Sequence, residues 1–205
     1  MRRSVALLIA GLVITAGACT TSGPTTAPRT ASPTQIPAPS GALSLPTVNP
    51  QHVDPALEDL LPSTINGIPL AKSSVNGGNA LNADSAGRAV LAFLVSRGRS
   101  PSDLAIAEAF DPHGSAGVVF VAFRAPGVDA AALRSAMVLA GLYVPRTATP
   151  PPTVPAPTIH GGKEVLVIPF PGGGTEYLYA RGDVLYAIRT ADAALAGQIL
   201  NALPS

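Results

Sequence analysis

Residues 175–195, TEYLYARGDVLYAIRTADAAL, carry the clearest structural pattern in this chain of 205 residues. Two runs rich in Tyr, Leu, Val and Ile flank Arg181-Gly182-Asp183, and Gly and Asp accept the positive φ angles of a tight turn. The pattern therefore predicts a β-hairpin with strands at Glu176–Ala180 and Val184–Arg189.

A helix is predicted directly after this hairpin. Thr190 is placed as its N-cap and Asp192 in its first turn, where the helix dipole favours a carboxylate. Apolar residues recur at every fourth position and predict the buried face of a helix that ends at Pro204. These residues are Leu195, Ile199 and Leu203.

A similar unit precedes it in the chain. Ala105–Phe110 and Val118–Arg124 are predicted as two strands joined by a turn at 111–114, and Asp129–Leu139 as the following helix. Each of the two lobes then has a strand that ends in arginine, a turn and a helix led by aspartate. A true repeat and a coincidence in an alanine-rich chain both remain open.

Three further elements complete the prediction. Ile65–Lys72 is predicted as an edge strand interrupted by Pro69, and Glu164–Phe170 as an inner strand. A helix is predicted over Asp84–Arg97, with Asp84 as its N-cap and Gly98 as its C-terminal stop. Its predicted buried stripe is Val90, Leu91, Leu94 and Val95. Hairpins with helices between them predict an α+β fold, with helices packed on one face of a mostly antiparallel sheet.

The distribution of proline divides the chain into regions. Residues 19–52 are rich in Thr, Ser, Pro and Ala and have almost no charge, so they are predicted to be a disordered tether. Residues 53–205 are predicted to form a single α+β domain. The proline-rich stretch 145–157 is predicted to be a long loop inside that domain, because proline disrupts helices and inner strands.

The N-terminus has the pattern of an export signal. Arg2 and Arg3 precede an apolar run, Val5–Ile14, and small residues follow before Cys19, the only cysteine in the chain. The apolar run is too short to span a bilayer as a helix, which needs about 20 apolar residues. Residues 1–18 are therefore predicted to be a signal peptide.

The stretch Ala16-Gly17-Ala18-Cys19 resembles the lipobox of bacterial lipoproteins. A lipobox usually has a branched apolar residue at the position of Ala16, and its tolerated range includes alanine. The alanine-rich composition, with arginine far outnumbering lysine, indicates an actinobacterial source. The resemblance implies that Cys19 is acylated and anchors the chain to the extracytoplasmic face of the cell membrane, where several acyl chains bind more firmly than one.

Charge limits the choice of partners. The chain has 13 basic and 12 acidic residues, and loss of Arg2 and Arg3 with the signal peptide leaves 11 basic residues and a net charge of −1. Binding to nucleic acid depends on clustered Lys and Arg, so no nucleic-acid partner is expected. The membrane, through Cys19, is the expected partner, together with an envelope protein or polymer or a lipid.

No catalytic, metal or cofactor site is predicted. The three histidines lie far apart in the sequence, and the chain lacks the motifs of serine hydrolases. Glu108, Asp111 and His113 form the best polar cluster, which a polar turn would equally explain.

These observations leave three functional hypotheses. The first is a non-enzymatic binding module for an envelope protein or polymer. The alternative is a carrier or sensor of an apolar ligand such as a lipid, because a helix-on-sheet fold can open a cavity between its layers. Tyr177, Tyr179 and Tyr186 are candidates to line that cavity, although packing would explain them equally well. An envelope hydrolase is the third and weakest hypothesis.

Overall fold

The computed structural model of the protein describes residues 51–81, 84–143, 153–170 and 173–204. All of these residues belong to one compact unit. The predicted signal peptide, Cys19 and nearly all of the predicted tether lie outside the described residues, as do positions 145–152 of the proline-rich loop.

Five α-helices and nine strands alternate irregularly along this part of the chain. In order they are α1 (Pro55–Glu58), β1 (Thr64–Ile65), β2 (Ile68–Pro69), β3 (Ala71–Asn76), α2 (Gly77–Leu81), α3 (Ser85–Ser96), β4 (Ala105–Phe110), β5 (Val118–Arg124), α4 (Ala130–Leu139), β6 (Thr158–His160), β7 (Lys163–Pro169), β8 (Thr175–Arg181), β9 (Val184–Thr190) and α5 (Ala193–Ala202). None of the described helices is long and apolar enough to cross a membrane.

A seven-stranded antiparallel sheet organises these elements. Its spatial order is β3-β4-β5-β9-β8-β7-β6, and β1 and β2 form a separate small hairpin. The predicted hairpin of the C-terminal lobe is β8 and β9, in which Tyr179 lies opposite Tyr186. The α+β class and the antiparallel sheet are therefore confirmed.

The helices divide between the two faces of this sheet. Successive side chains of a strand point to opposite faces, and in β9 Tyr186 and Ile188 join one apolar cluster while Leu185 and Ala187 join another. The first cluster contains α5 and α1, and this side is called the α5 face. The second contains α3 and α4, and is called the α4 face. The expectation of helices on one face is corrected, because strands that are apolar on both sides must be covered on both.

Both α3 and α4 begin at an aspartate N-cap, which was predicted for Asp84, whereas Asp129 was predicted as the first residue of its helix. Asp84 accepts a hydrogen bond from the N–H of Gly87 at the start of α3, and Asp129 accepts one from Ala132 at the start of α4. Val95, however, is exposed and does not belong to the buried stripe of α3.

The start of α5 differs from the prediction. Thr190 is the last residue of β9, where its hydroxyl donates to the Gly117 carbonyl and accepts from the N–H of Asp192. Asp192 is the N-cap and accepts from the N–H groups of Ala194 and Leu195. Thr190 could not be the cap because the sheet extends one residue further than its sequence pattern indicated.

The predicted single strand Ile65–Lys72 is also corrected. Asn66 and Gly67 have φ angles of 51° and 79° and turn the chain back on itself between β1 and β2. An Asn-Gly pair is a strong signal for such a turn. The edge strand is β3, which begins only at Ala71.

The two lobes share a sequence of elements but not a three-dimensional arrangement. Strands β5 and β9 are antiparallel neighbours at the centre of the sheet. A twofold axis perpendicular to the sheet would superpose the β4–β5 and β8–β9 hairpins and would keep the following helices on one face. Because α4 and α5 lie on opposite faces, this rotation does not relate the two lobes.

Candidate functional site: an apolar cleft on the α5 face

A cleft of about 390 Å³ opens on the α5 face of the sheet. One wall is formed by residues 60–66, which follow α1 and include the first strand of the β1–β2 hairpin, and the other by the C-terminal half of α5. The side chain of Phe120, from the central strand β5, lies between them. The full lining is Leu60, Leu61, Pro62, Thr64, Ile65, Asn66, Phe120, Leu195, Gln198, Ile199, Ala202 and Leu203.

The polarity of the lining changes from its base to its rim. The base is made of apolar side chains that are almost fully buried, and Phe120 has no exposed surface. Thr64, Asn66 and Gln198 are exposed and polar. Every residue of the lining is uncharged. The site is therefore suited to holding an apolar group, with neutral polar groups at its mouth.

The wall opposite α5 belongs to a segment that we call the N-terminal arm, residues 51–70. It begins beside the edge strand β3, where the N–H of Ser74 donates to the Gln51 carbonyl at 2.8 Å. The N–H of Asp54 donates to the hydroxyl of Ser74 at 2.8 Å. Among the described residues, Gln51 and His52 already contact the sheet, although the composition placed the start of the domain at Val53.

A buried carboxylate secures the N-terminal arm to the sheet. Glu58, at the end of α1, is 6% exposed, and its Oε1 accepts a hydrogen bond from the Ser74 hydroxyl at 2.5 Å. Nδ1 of His52 lies 2.8 Å from its other oxygen. Ser74 is 1% exposed. The carboxylate lies between the serine and the histidine, so the trio is an anchor rather than a nucleophile with a base beside it.

Two cations complete this anchor. Nη2 of Arg124, at the end of β5, pairs with the carboxylate of Asp54 at 2.6 Å. The ammonium of Lys72 donates to the backbone carbonyls of Glu58 and Leu61, at 2.9 and 2.6 Å. Glu58 is the last residue of α1, and Leu61 lies in the segment just beyond it. The two cations that hold the cleft wall thus already have partners.

The predicted polar cluster does not assemble into a site. The carboxylate of Asp111 accepts hydrogen bonds from the N–H of His113, the hydroxyl of Ser115 and the N–H of Ala116. These bonds, led by that of Ser115, lower the pKa of Asp111 to about 2. His113 contributes only its backbone, and no hydrogen bond joins Glu108 to either residue. The Asp111 carboxylate therefore stabilises its own turn through these hydrogen bonds.

The three tyrosines proposed as cavity lining lie elsewhere on the α5 face. Tyr179 and Tyr186 stack with their ring centroids 5.8 Å apart, and the hydroxyl of Tyr179 donates to the Pro204 carbonyl. Tyr177 stacks on the ring of His160, 4.8 Å away. All three are buried, and none of them lines the cleft. The packing explanation therefore applies to them.

A second buried charge lies on the α4 face. Glu176 is 2% exposed and accepts a hydrogen bond from Nε of Arg189 at 2.7 Å. Burial raises the pKa of Glu176, and the bond from Arg189 opposes that rise. The guanidinium of Arg189 also lies 3.6 Å from the centre of the Phe170 ring. This pair is on the side of the sheet away from the cleft.

In the described ranges, no three His, Cys, Asp or Glu side chains are grouped closely enough to hold a metal ion.

Sequence patterns alone identified only part of the cleft. Leu195, Ile199 and Leu203 were predicted as the buried face of a helix, and Phe120 as part of a strand. The contribution of residues 60–66 was missed, although the Asn66-Gly67 turn signal could have identified the hairpin that positions this wall.

No protein-family model, curated protein or solved structure matches this chain. What can be inferred about function therefore rests on the geometry and chemistry of the cleft itself.

Proposed function

We propose that this protein is a lipid-anchored, extracytoplasmic lipoprotein whose folded domain binds an apolar ligand in the cleft, without catalysing a reaction. The observation that carries the proposal is the uncharged cleft of about 390 Å³ on the α5 face. Small-molecule sites are typically concave, mostly apolar and about 300–1,000 Å³ in volume.

The lining supports binding of an apolar group. Phe120, Leu61 and Ile199 present side chains that are buried among their neighbours but face an unfilled space. Each Å² of apolar surface that a ligand removes from water contributes about 25 cal/mol. Because the arm and α5 are each packed on the same sheet, the two walls are held in place before a ligand arrives.

The anchor part of the proposal rests on the N-terminal sequence. The lipobox-like stretch Ala16–Cys19 follows a basic and apolar leader, and a tether of about thirty residues, with Arg29 as its one charged residue, separates Cys19 from Gln51. An extended tether of this kind rises about 3 Å per residue. The cleft would then work at a distance from the membrane surface.

Binding of an envelope protein remains the alternative function of this domain. The observation in its favour is the edge strand β6, whose Ile159 is 70% exposed. An unpaired strand edge can accept a strand from another chain. Binding of a polymer remains a prediction from the tether and the anchor alone.

The test uses the full chain carrying Cys19→Ser, secreted without an acyl anchor, and an uncharged apolar fluorophore such as N-phenyl-1-naphthylamine. We expect saturable binding with one site per chain. Ala202→Trp should fill the cleft and lower the affinity at least tenfold, because Ala202 is an exposed residue of the lining. Ala194→Trp, at an exposed position of α5 outside the lining, is the matched control.

Two results would contradict the proposal. If the fluorophore showed no saturable binding, the proposal that the domain binds an apolar ligand would fail. If the two tryptophan substitutions had equal effects, the fluorophore would bind outside the cleft. The anchor is tested separately by fractionating cells. The unmodified chain should sediment with membranes, and the Cys19→Ser chain should not.

A further inference from the structure

We infer that the cleft selects an uncharged amphiphile, with its apolar part against Phe120 and a hydroxyl, amide or ester group at the rim formed by Thr64, Asn66 and Gln198. This inference rests on the proposed function and specifies the class of ligand. The observations that carry it are the distribution of polarity around the cleft and the partners of Lys72 and Arg124, the two cations that hold its wall.

The rim offers neutral hydrogen-bonding groups. Thr64 and Asn66 lie on the β1–β2 hairpin, and Gln198 lies across the cleft on α5. Within the described part of the chain, the side chains of these three residues make no hydrogen bond to protein. A hydroxyl and two primary amides can each donate and accept. They therefore suit a ligand group that both donates and accepts hydrogen bonds, such as a hydroxyl or an amide, or one that only accepts them, such as an ester.

The β1–β2 hairpin holds the rim residues Thr64 and Asn66 in a defined position. Asn66 has a left-handed backbone, with a φ of 51°, and the N–H of Leu70 donates to the Ser63 carbonyl at 2.9 Å across the base of the hairpin. Ile65, between Thr64 and Asn66, is buried among the apolar residues at the base of the cleft. Thr64 and Asn66, on either side of Ile65 in the chain, are both exposed, and both line the cleft.

Two cations that hold the N-terminal arm in place already have partners of their own. The Lys72 ammonium is held by two backbone carbonyls, and Arg124 is paired with Asp54. An anionic head group at the rim would lose part of its hydration without gaining a cation, and an ammonium head group would find no carboxylate in the lining. The uncharged head group avoids both costs.

The experiment compares competitors that share one straight alkyl chain and differ in the head group. The alcohol, primary amide, carboxylic acid and amine are titrated against the bound fluorophore at neutral pH and below their micelle concentrations. We expect the alcohol and amide to bind on the order of tenfold more tightly than the carboxylate and ammonium forms, since a charged group desolvated without a partner is disfavoured.

A pH titration separates head-group charge from chain length. The affinity of the carboxylic acid should rise towards that of the alcohol as the pH falls through the acid's own pKa. The affinity of the alcohol over the same range reports the integrity of the protein. A carboxylate that binds as tightly as the alcohol at neutral pH would overturn the inference.

Substitution at the rim provides a second readout. Gln198→Lys should improve binding of the carboxylate relative to the alcohol, and Gln198→Leu should weaken the amide relative to a plain alkane. Gln198 is exposed, so neither change disturbs the core. If no competitor and no fluorophore binds, the proposed function fails. If all bind alike whatever their charge, only the inferred selectivity fails.

Discussion

Nη2 of Arg124 lies 2.6 Å from both carboxylate oxygens of Asp54, which is 70 residues earlier in the chain. The pair joins the end of the central strand β5 to the N-cap of α1, where Asp54 also accepts the N–H of Leu57 at 3.0 Å. One carboxylate therefore both starts the short helix and ties it to the sheet. The position of the cleft wall that follows depends on this contact.

Loss of this ion pair should destabilise the N-terminal arm. Arg124→Ala leaves the Asp54 carboxylate partly buried without its cation, so we expect a loss of about 1–3 kcal/mol in the free energy of unfolding. The affinity for the fluorophore should fall as well, because the arm forms one wall of the cleft. Urea denaturation and fluorophore titration measure the two effects. Arg88→Ala, on the exposed side of α3, is the control.

An effect of Arg124→Ala no larger than that of Arg88→Ala would show that this ion pair does not hold the arm. Leu57 and Leu61, which are buried against the same sheet, would then be its principal attachments.

The contact between Ser74 and Glu58 leads to a second prediction. Ser74→Ala removes the hydroxyl that donates to the buried Glu58 carboxylate, and should cost about 1–3 kcal/mol because a buried acceptor loses a partner. Ser73→Ala is the matched control, since Ser73 is the neighbouring residue of β3 and faces the opposite side of the sheet. Chemical denaturation measures the stability of both variants. Equal denaturation midpoints for Ser74→Ala and Ser73→Ala would contradict the prediction.

Packing of the β6–β7 turn on α5 leads to a third prediction. Gly161 and Gly162 both have left-handed φ angles, so alanine at either position costs about 1 kcal/mol of backbone strain. A Cβ on Gly161 would also lie 2.6 Å from the Gly197 carbonyl oxygen and 2.8 Å from Cβ of Leu200. On Gly162, the nearest atom would be the side-chain oxygen of Asn201 at 3.5 Å.

Gly161→Ala should therefore destabilise the fold by about 1–3 kcal/mol more than Gly162→Ala, which serves as its control. Differential scanning calorimetry of the two variants measures the difference. Equal melting temperatures would mean that α5 can move away from the turn at little cost.

Acid stability should depend on the turn organised by Asp111. Hydrogen bonds, first from the Ser115 hydroxyl, lower the pKa of Asp111 to about 2, below the value of about 3.9 in an unfolded chain. A lowered pKa stabilises the fold fully above the unfolded value, and this contribution is lost as the pH falls through about 2. The stability difference between the protein and Asp111→Asn should therefore shrink as the pH falls from 5 to 2.

Ser115→Ala tests whether the Ser115 hydroxyl lowers the pKa of Asp111. It removes the largest contribution, so the pKa of Asp111, followed by carboxyl NMR shifts, should move up towards its ordinary value. An unchanged NMR midpoint in this variant would contradict the role given to the Ser115 hydroxyl.

Local patterns predicted the strands and helices best where the chain carries its own start and stop signals. The bounds of β4 and β5 agree with the expected ones, and the aspartate N-cap of α3 was identified correctly. Short elements such as α1 and β6 were missed. Four or three residues are too few to show a period. The short helix α1 is in addition held by contacts with strands that lie further along the chain.

The candidate site was predicted less well than the strands and helices. A cavity between layers was anticipated in general terms, but the tyrosines suggested for it are packed beneath α5. The alternation of Tyr177 and Tyr179 in β8 indicates that these two side chains share a face, but it could not show which part of that face is covered.

The sequence by itself determined the local elements and the α+β class, because caps, turn residues and apolar periodicity act between residues close in the chain. It also carries the whole argument for the anchor at Cys19. Only the tertiary structure decided that the helices cover both faces of the sheet, and that residues 60–66, Phe120 and α5 surround one cleft. The order of the strands depends on pairing across long separations, such as β5 with β9, and no local pattern specifies it.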